Sequence, residues 1–238
     1  LVFDPANSDR LYIANDGGVF TGVYAGGVPP VQWEKVSTGL AITQFYDLNR
    51  SAACPTMFGG GCQDNGTVLS SGGRSWRFVH GGDGSYLALH PTDPYTMWVE
   101  IFKFRDAMGP TRVEVRRSTD GGYTFARADA GIQGAVDMPV QLLTMDRNNP
   151  AVLFAGTDRI FRTANGDAAN PATVAWSAAS AVIGTISEIT IAPSSSLIVY
   201  AGTLDGALFQ ATNGGAMANS FADITPPVAA APDWPRGR

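Results

Sequence analysis

A pattern of short apolar segments recurs five times along the chain, and it constrains the fold more than any other feature. The units begin near residues 1, 45, 86, 140 and 188, so successive starts lie 44, 41, 54 and 48 residues apart. Each unit opens with alternating apolar residues and a turn that contains a proline, namely Pro5, Pro55, Pro91, Pro150 or Pro193. A second apolar segment, a hairpin often marked by Asp and Gly, and two further strands complete the unit. Four short strands at this spacing are typical of β-propeller blades.

The sequence therefore predicts an all-β protein of about five four-stranded antiparallel blades over residues 1–226, with a Pro-rich tail or linker over residues 227–238. Alternation in YLALH (86–90) and VEVRR (113–117) indicates strands, and no segment is convincing as a helix. The 28 Gly and 15 Pro suit many tight turns. Because residue 1 begins a first strand and residues 221–225 end a fourth, no strand is left to close a ring. We expect these blades to form either an incomplete ring or part of a larger propeller, whose remaining blades would be partners of this chain.

Charge and composition exclude two classes of partner. The formal net charge of −5 argues against nucleic acid, whose phosphates require a basic surface. No run of about 18 consecutive apolar residues is present, so no membrane span is predicted. The two cysteines, Cys54 and Cys62, would lie roughly 20 Å apart if the segment between them were extended. We favour two thiols, since a disulfide would require that segment to fold back.

One short motif stands out within the third unit. The segment RRSTDGGYTFARA (116–128) places six turn-forming residues together, and these are Ser118, Asp120, Gly121, Gly122, Thr124 and Phe125. Glycines supply positive φ, and the carboxylate can accept N–H groups of its own turn. Degenerate copies in other units carry Ser71, Asn165 or Asn213 in place of Asp120. Since a catalytic residue needs no such copies, we predict that this motif is a structural turn between the third and fourth strands.

This motif resembles the Asp-box, or BNR repeat, and the chain resembles Asp-box propellers over nearly its whole length. That family includes bacterial sialidases, xyloglucanase-type glycoside hydrolases, sortilin-like domains and photosystem II assembly factors. The segments at 37–48, 59–67 and 79–94 also resemble secreted bacterial proteins described as glycosyl hydrolases or BNR-repeat proteins. The resemblance implies an extracellular or periplasmic location, a glycan, polysaccharide or protein partner, and no cofactor.

In this family the Asp-box turns lie on one rim and the active sites lie on the other, near the central axis. The loops expected at the second rim carry polar residues, namely Asp16, Gln63, Asp64, Asp83, Asp106, Asp158 and Asp205. A ring of carboxylates suits a glycosidase acid–base pair or a structural cation such as calcium. Asp-Gly and Asn-Gly are also the strongest hairpin dipeptides, so Asp16, Asp64 and Asp205 are more readily explained as turn residues.

The resemblance to xyloglucanases points to two catalytic candidates. LYIANDGGVF (11–20) is similar to their T-D-x-G-G hairpin and points to Asp16, while GGDGSYLAL (81–89) is similar to their G-D-x-G-G-F strand entry and points to Asp83. We expect Asp64 and Asp83 to lie close together at the rim opposite Asp120, with Asp16 on the same side. The ligand contacts predicted beside them are Tyr46, Gln63, Asp64, Asn65 and Tyr86.

The aromatic residues and the remaining motifs leave two hypotheses. Trp33, Trp76, Trp98 and Trp176 are predicted to pack in the core. The first hypothesis is a secreted, non-catalytic propeller that binds glycan or protein. The alternative is a xyloglucanase-like glycoside hydrolase with an aspartate pair at the propeller mouth. Catalytic motifs of sialidases, serine hydrolases and zinc proteases are not found in the sequence.

Overall fold

A computed structural model describes residues 1–15, 17–27, 29–39, 43–103, 112–134 and 143–227. Within these residues the chain forms strands and one 3-10 turn at Pro171–Thr173. The chain divides into two compact units, Leu1–Gln44 and Phe45–Arg238. The predicted Pro-rich tail lies almost wholly outside the described residues.

The first unit is a single antiparallel sheet in the order β1-β2-β3-β4. Its strands are β1 (Val2–Asp4), β2 (Asn7–Asn15), β3 (Gly18–Tyr24) and β4 (Val31–Lys35). We refer to this sheet as blade 1.

The second unit contains four sheets of the same kind, which we number as blades 2 to 5. Blade 2 comprises β5 (Asn49–Arg50), β6 (Phe58–Cys62), β7 (Gly66–Ser70) and β8 (Arg77–His80). Blade 3 comprises β9 (Asp83–Leu89), β10 (Met97–Lys103), β11 (Arg112–Ser118) and β12 (Ala126–Arg127). Blade 4 comprises β13 (Leu143–Met145), β14 (Leu153–Gly156), β15 (Ile160–Thr163) and β16 (Trp176–Ala178). Blade 5 comprises β17 (Ile186–Ile191), β18 (Val199–Thr203), β19 (Leu208–Ala211) and β20 (Ala222–Asp223).

Every one of these sheets pairs its strands in sequence order and antiparallel. The chain is all-β, and its sheets are the four-stranded blades of a β-propeller, as the sequence repeat predicted. Cys54 and Cys62 are present as thiols, not as a disulfide.

The same seven-residue turn joins the first strand to the second in blades 2 to 5. The first residue of this turn donates its N–H to the carbonyl of the seventh, and the seventh donates its N–H to the carbonyl of the fourth. We call this the 1–2 turn. Its first and seventh residues are Ser51 and Met57, His90 and Thr96, Asp146 and Val152, and Ala192 and Ile198.

A glycine in the turn between the third and fourth strands, the 3–4 turn, binds the 1–2 turn of the same blade. Gly121, Gly166 and Gly214 each donate an N–H at 2.8 Å to the carbonyl of the sixth residue of the 1–2 turn, which is Tyr95, Ala151 or Leu197. Gly121 has φ of 78°, which an L side chain rarely adopts. These bonds tie together the two turns at one end of blades 3, 4 and 5.

Asp120 organises the 3–4 turn of blade 3 through its carboxylate. The carboxylate accepts hydrogen bonds from the Ser118 hydroxyl (2.7 Å), from the Tyr123 and Thr124 N–H groups (2.9 and 3.0 Å) and from the Thr124 hydroxyl (2.6 Å). The bonds from Thr124 and Ser118 hold the pKa of Asp120 far below its ordinary value. The half-buried Phe125 ring contacts the His80 ring of blade 2 edge-on at 5.2 Å.

Asparagine takes the place of Asp120 in two other blades and accepts fewer bonds. Asn165 accepts the Thr163 hydroxyl at 2.9 Å and the Ala175 N–H at 3.0 Å. Asn213 accepts the Gly215 N–H at 3.1 Å. In both blades the side chain bonds within its own loop, as a turn residue does.

The core prediction for the four tryptophans is right for two and wrong for two. Trp98 and Trp176 are 0% and 5% exposed, but Trp33 and Trp76 are 48% and 43% exposed. Trp33 lies on β4, the edge strand of blade 1, where it packs over Gly22. Trp76 precedes β8, and its ring contacts Phe45 and Phe58 at 5.5 and 5.0 Å between centroids. Trp176 begins the outer strand β16 of blade 4 and is nevertheless buried, with its Nε1–H donating to the Ala128 carbonyl at 2.7 Å, so an outer-strand position alone does not determine exposure.

Replacing Asp120 by Asn should lower the melting temperature at pH 7, because an amide nitrogen cannot accept the Thr124 hydroxyl. The pKa of Asp120 in the folded state lies below its ordinary value of 3.8. The stability that the Asp120 carboxylate contributes is therefore present above pH 3.8, and it is lost as the pH falls toward the folded-state pKa. Thermal unfolding from neutral pH to about pH 3 measures both effects. The exposed Asp9→Asn serves as the control, and an Asp120→Asn variant as stable as this control would contradict the structural role.

Candidate functional site

A cavity of about 780 Å³ lies among the first strands of blades 2 to 5. Its wall contains residues of β9, β13 and β17, the short segment around β5, and parts of the 1–2 turns. First strands of propeller blades surround a central channel, so this is the expected place for such a cavity. We call it the inner cavity.

Three polar residues occupy equivalent positions ahead of the 1–2 turns, and two of them, Asp47 and Glu188, line the inner cavity. Asp47, Tyr86 and Glu188 each lie four residues before the first residue of a 1–2 turn in blades 2, 3 and 5. Equivalent positions of repeated strands lie at the same height along a propeller, so these residues form one level, which we call the inner layer. The corresponding residue of blade 4, Leu142, lies outside the described residues.

Two β-bulges coincide with the inner layer. The pairing of β9 with β10 shifts register between Leu87 and Gly84, next to Tyr86, and the pairing of β17 with β18 shifts between Ile186 and Glu188. A bulge inserts an extra residue and turns the following side chain toward a new direction. Glu188 is exposed to solvent, and together with Asp47 it lines the inner cavity.

The ionisable groups of the inner layer influence one another. Burial raises the pKa of Asp47, while a hydrogen bond from the Asn49 amide at 2.8 Å opposes that rise. Burial and then the charge of Asp47 raise the pKa of Glu188. Burial, followed by the charges of Asp47, Glu188 and Glu100, raises the pKa of Tyr86. The inner layer is therefore a place where negative charge is disfavoured.

Glu100 adds a buried carboxyl behind this layer. It lies on β10 opposite the bulge of β9, its side chain is 0% exposed, and neither of its oxygens makes a hydrogen bond of normal geometry. Burial raises the pKa of Glu100 well above its ordinary value, the nearby Ser85 hydroxyl lowers it, and the charge of Asp47 raises it further. A buried carboxyl with these surroundings favours its protonated form.

A second group of polar residues lies at the hairpin between β6 and β7, where the sequence placed its candidate site. The Asp64 N–H donates to Asp83 Oδ1 at 2.8 Å, so the predicted proximity of these residues is confirmed. Burial, and then the charges of Asp83 and Asp64, raise the pKa of Tyr46, which places its phenol nearby. The Asn65 amide donates to the Gln63 carbonyl at 3.0 Å within the same hairpin. We call this group the hairpin cluster.

The hairpin cluster and Asp120 lie at opposite ends of blade 3, as expected. Asp83 pairs with Phe102 at one end of β10, and Ser118 pairs with Met97 at the other. Asp83 is the first residue of β9 and does not precede the strand.

The other predicted residues do not join the hairpin cluster. Tyr86 is 7% exposed and belongs to the inner layer. Asp158 bonds to Arg159 at 3.0 Å and to the Thr157 hydroxyl at 3.1 Å, and Asp205 accepts the Thr203 hydroxyl. These two aspartates act within their own hairpins. Asp16 and Asp106 lie outside the described residues.

Sequence reasoning missed Asp47, Glu100 and Glu188 as site residues. The two glutamates lie within strands and match no catalytic motif. The signal that finds Asp47 and Glu188 is their spacing from the 1–2 turn, which is identical in the two blades. In the described part of the chain, no three Asp, Glu, His or Cys side chains come close enough to hold a metal ion. Structural calcium therefore stays a prediction drawn from the family resemblance.

Comparison with known proteins bears on the fold. No protein-family model and no curated protein matches the sequence. A GH74 xyloglucanase from Xanthomonas campestris is 17% identical with a TM-score of 0.58, over 82% of this chain and 31% of that one. An ancestral GH74 enzyme is 16% identical with a TM-score of 0.56, over 94% of this chain and 30% of that one. The GH74 enzyme of Niastella koreensis is 16% identical with a TM-score of 0.57, over 93% of this chain and 37% of that one.

The chain thus spans about a third of the length of these solved structures. At such low identity the likeness shows a shared β-propeller fold. Among the described residues, no helix has the length and apolar character needed to cross a membrane.

Replacing Glu100 by Gln should raise the free energy of unfolding at pH 7.5 relative to the parent. The pKa of Glu100 is raised in the folded state. Its contribution to the free energy of unfolding is therefore fully present below the ordinary pKa of 4.5, and it is lost as the pH rises toward the folded-state pKa. The neutral amide of the Glu100→Gln variant does not ionise, so the variant does not lose this stability as the pH rises. Urea unfolding at several values between about pH 4.5 and pH 8 measures the effect, with the exposed Glu34→Gln as control. An equal loss of stability at every pH would contradict the protonated state of Glu100.

Proposed function

We propose that this chain is a carbohydrate-binding β-propeller and that the glycan binds in the inner cavity. The observation that carries the proposal is a cavity of about 780 Å³ whose wall presents two carboxyl groups, Asp47 and Glu188. Pockets that bind small ligands typically have volumes of about 300–1,000 Å³. The cavity is therefore large enough for one or more sugar residues.

The lining of the cavity matches the chemistry of a sugar. Carboxylates accept strong hydrogen bonds from hydroxyl groups. Asn49, Thr144 and Thr190 add neutral polar groups, while Leu48 and Leu89 provide apolar surface for the C–H faces of a ring. Such a mixture of a few polar groups on an apolar wall fixes the orientation of a ligand.

We further infer membership of the Asp-box propellers and a secreted, extracellular or periplasmic protein. The bonding of the Asp120 turn supports the first inference, since its carboxylate accepts four hydrogen bonds from residues of its own motif. The location rests on the resemblance of the sequence to secreted bacterial proteins.

The second candidate function is a glycoside hydrolase that acts at the hairpin cluster. The contact between Asp64 and Asp83 favours it, because Asp83 is the catalytic candidate in the xyloglucanase resemblance. The similarity of the fold to GH74 enzymes is compatible with this alternative. The other catalytic candidate, Asp16, lies outside the described residues.

A glycan array and a polysaccharide hydrolysis screen test both functions, followed by titration of variants with the best glycan. We expect binding without release of reducing sugar, and about a tenfold loss of affinity in Asp47→Asn and in Glu188→Gln, because each loses a charged acceptor. Asp9→Asn and Asp83→Asn should bind like the parent.

Two results would overturn this proposal. Hydrolysis that Asp83→Asn abolishes and Asp47→Asn leaves intact would establish the enzyme at the hairpin cluster. Glycan binding that neither cavity variant changes would place the binding site elsewhere.

A further inference from the structure

We infer that the glycan bound in the inner cavity carries a protonated amine, which lies between the carboxylates of Asp47 and Glu188. This inference rests on the proposed function and specifies its ligand as an amino sugar, such as a glucosamine residue with a free amino group.

The first argument is the position of the charges along the cavity. Asp47 and Glu188 belong to the inner layer, four residues before their 1–2 turns. In the described residues the cavity wall carries two cations, Arg50 and Arg147, and each lies within one residue of the start of a 1–2 turn. Arg50 also donates its Nε–H to the Pro55 carbonyl at 2.8 Å, which holds it at the turn. The two ends of the cavity therefore differ in charge, and the inner layer forms the acidic end.

The second argument is the buried carboxyl of Glu100. This side chain is fully buried, neither of its oxygens makes a hydrogen bond of normal geometry, and it lies close enough for the charge of Asp47 to act on it. Asp47 likewise acts on Glu188. A cation at the inner layer would relieve the repulsion between the Asp47 and Glu188 carboxylates, which the protonated Glu100 carboxyl behind them does not offset, whereas a neutral ligand of the same size would leave it in place.

The third argument favours an organic cation over a metal ion. Among the described residues, no three acidic, His or Cys side chains could hold a metal together. An ammonium group needs fewer ligands, since its three N–H donors can be shared between two carboxylates and one further acceptor. A cavity of about 780 Å³ also has room for the sugar that carries the amine.

Titration calorimetry with three β-1,4-linked tetrasaccharides tests the inference. The sugars are built from glucosamine, from N-acetylglucosamine and from glucose, and they differ in the group at carbon 2. We expect the glucosamine oligomer to bind at least about tenfold more tightly than the other two at neutral pH, and to lose affinity as sodium chloride is raised.

Variants locate the effect within the cavity. Asp47→Asn and Glu188→Gln should each remove most of the preference for the amine, whereas Asp9→Asn, an exposed residue of blade 1, should preserve it. Circular dichroism of each variant establishes that it is folded before titration.

The outcomes separate this inference from the proposed function. Equal affinity for all three oligomers, with dependence on Asp47 and Glu188, would overturn the amine inference and leave the carbohydrate-binding function standing. A preference for glucosamine that survives both substitutions would also overturn the inference. Absence of binding by any glycan, both here and on the array, would overturn the proposed function and this inference with it.

Discussion

The hydrogen bond between the 3–4 turn and the 1–2 turn is the interaction that organises blades 3, 4 and 5. It recurs at Gly121, Gly166 and Gly214 with the same length and the same acceptor position. Each bond fixes where the first strand of a blade ends, and therefore fixes the height of every residue along that strand. Asp47, Tyr86 and Glu188 share one level because blades 2, 3 and 5 have the same 1–2 turn, and in blades 3 and 5 this glycine bond holds that turn in place.

The features that sequence predicted correctly are those encoded by local chemistry. Turn-forming glycines and asparagines, alternating apolar residues and the Asp120 motif each depend on only a few neighbouring positions. These local patterns were sufficient to predict the number and the order of the strands in each blade. They also predicted the contact between Asp64 and Asp83, because adjacent antiparallel blades bring a hairpin and a strand entry to the same end.

The inner layer was not predicted, because the spacing of Asp47 and Glu188 from the 1–2 turn marks their positions but the directions of their side chains depend on register. The bulges beside Tyr86 and Glu188 change which side chains reach the cavity, and no local residue pattern marks them. Burial was also hard to predict at the blade edges, where Trp33 and Trp76 are exposed although tryptophan usually packs inside. The spacing of residues in the sequence predicts the strand on which a residue lies. It predicts less reliably which face of the sheet its side chain occupies.

A crystal structure of the protein with a bound glucosamine oligosaccharide tests the central claim, that the inner cavity is the ligand site, most directly. The account predicts a sugar ring in the inner cavity, with its amino nitrogen within hydrogen-bond distance of carboxylate oxygens of both Asp47 and Glu188. A sugar bound at the hairpin between β6 and β7, against Asp64 and Asp83, with an empty inner cavity would contradict it.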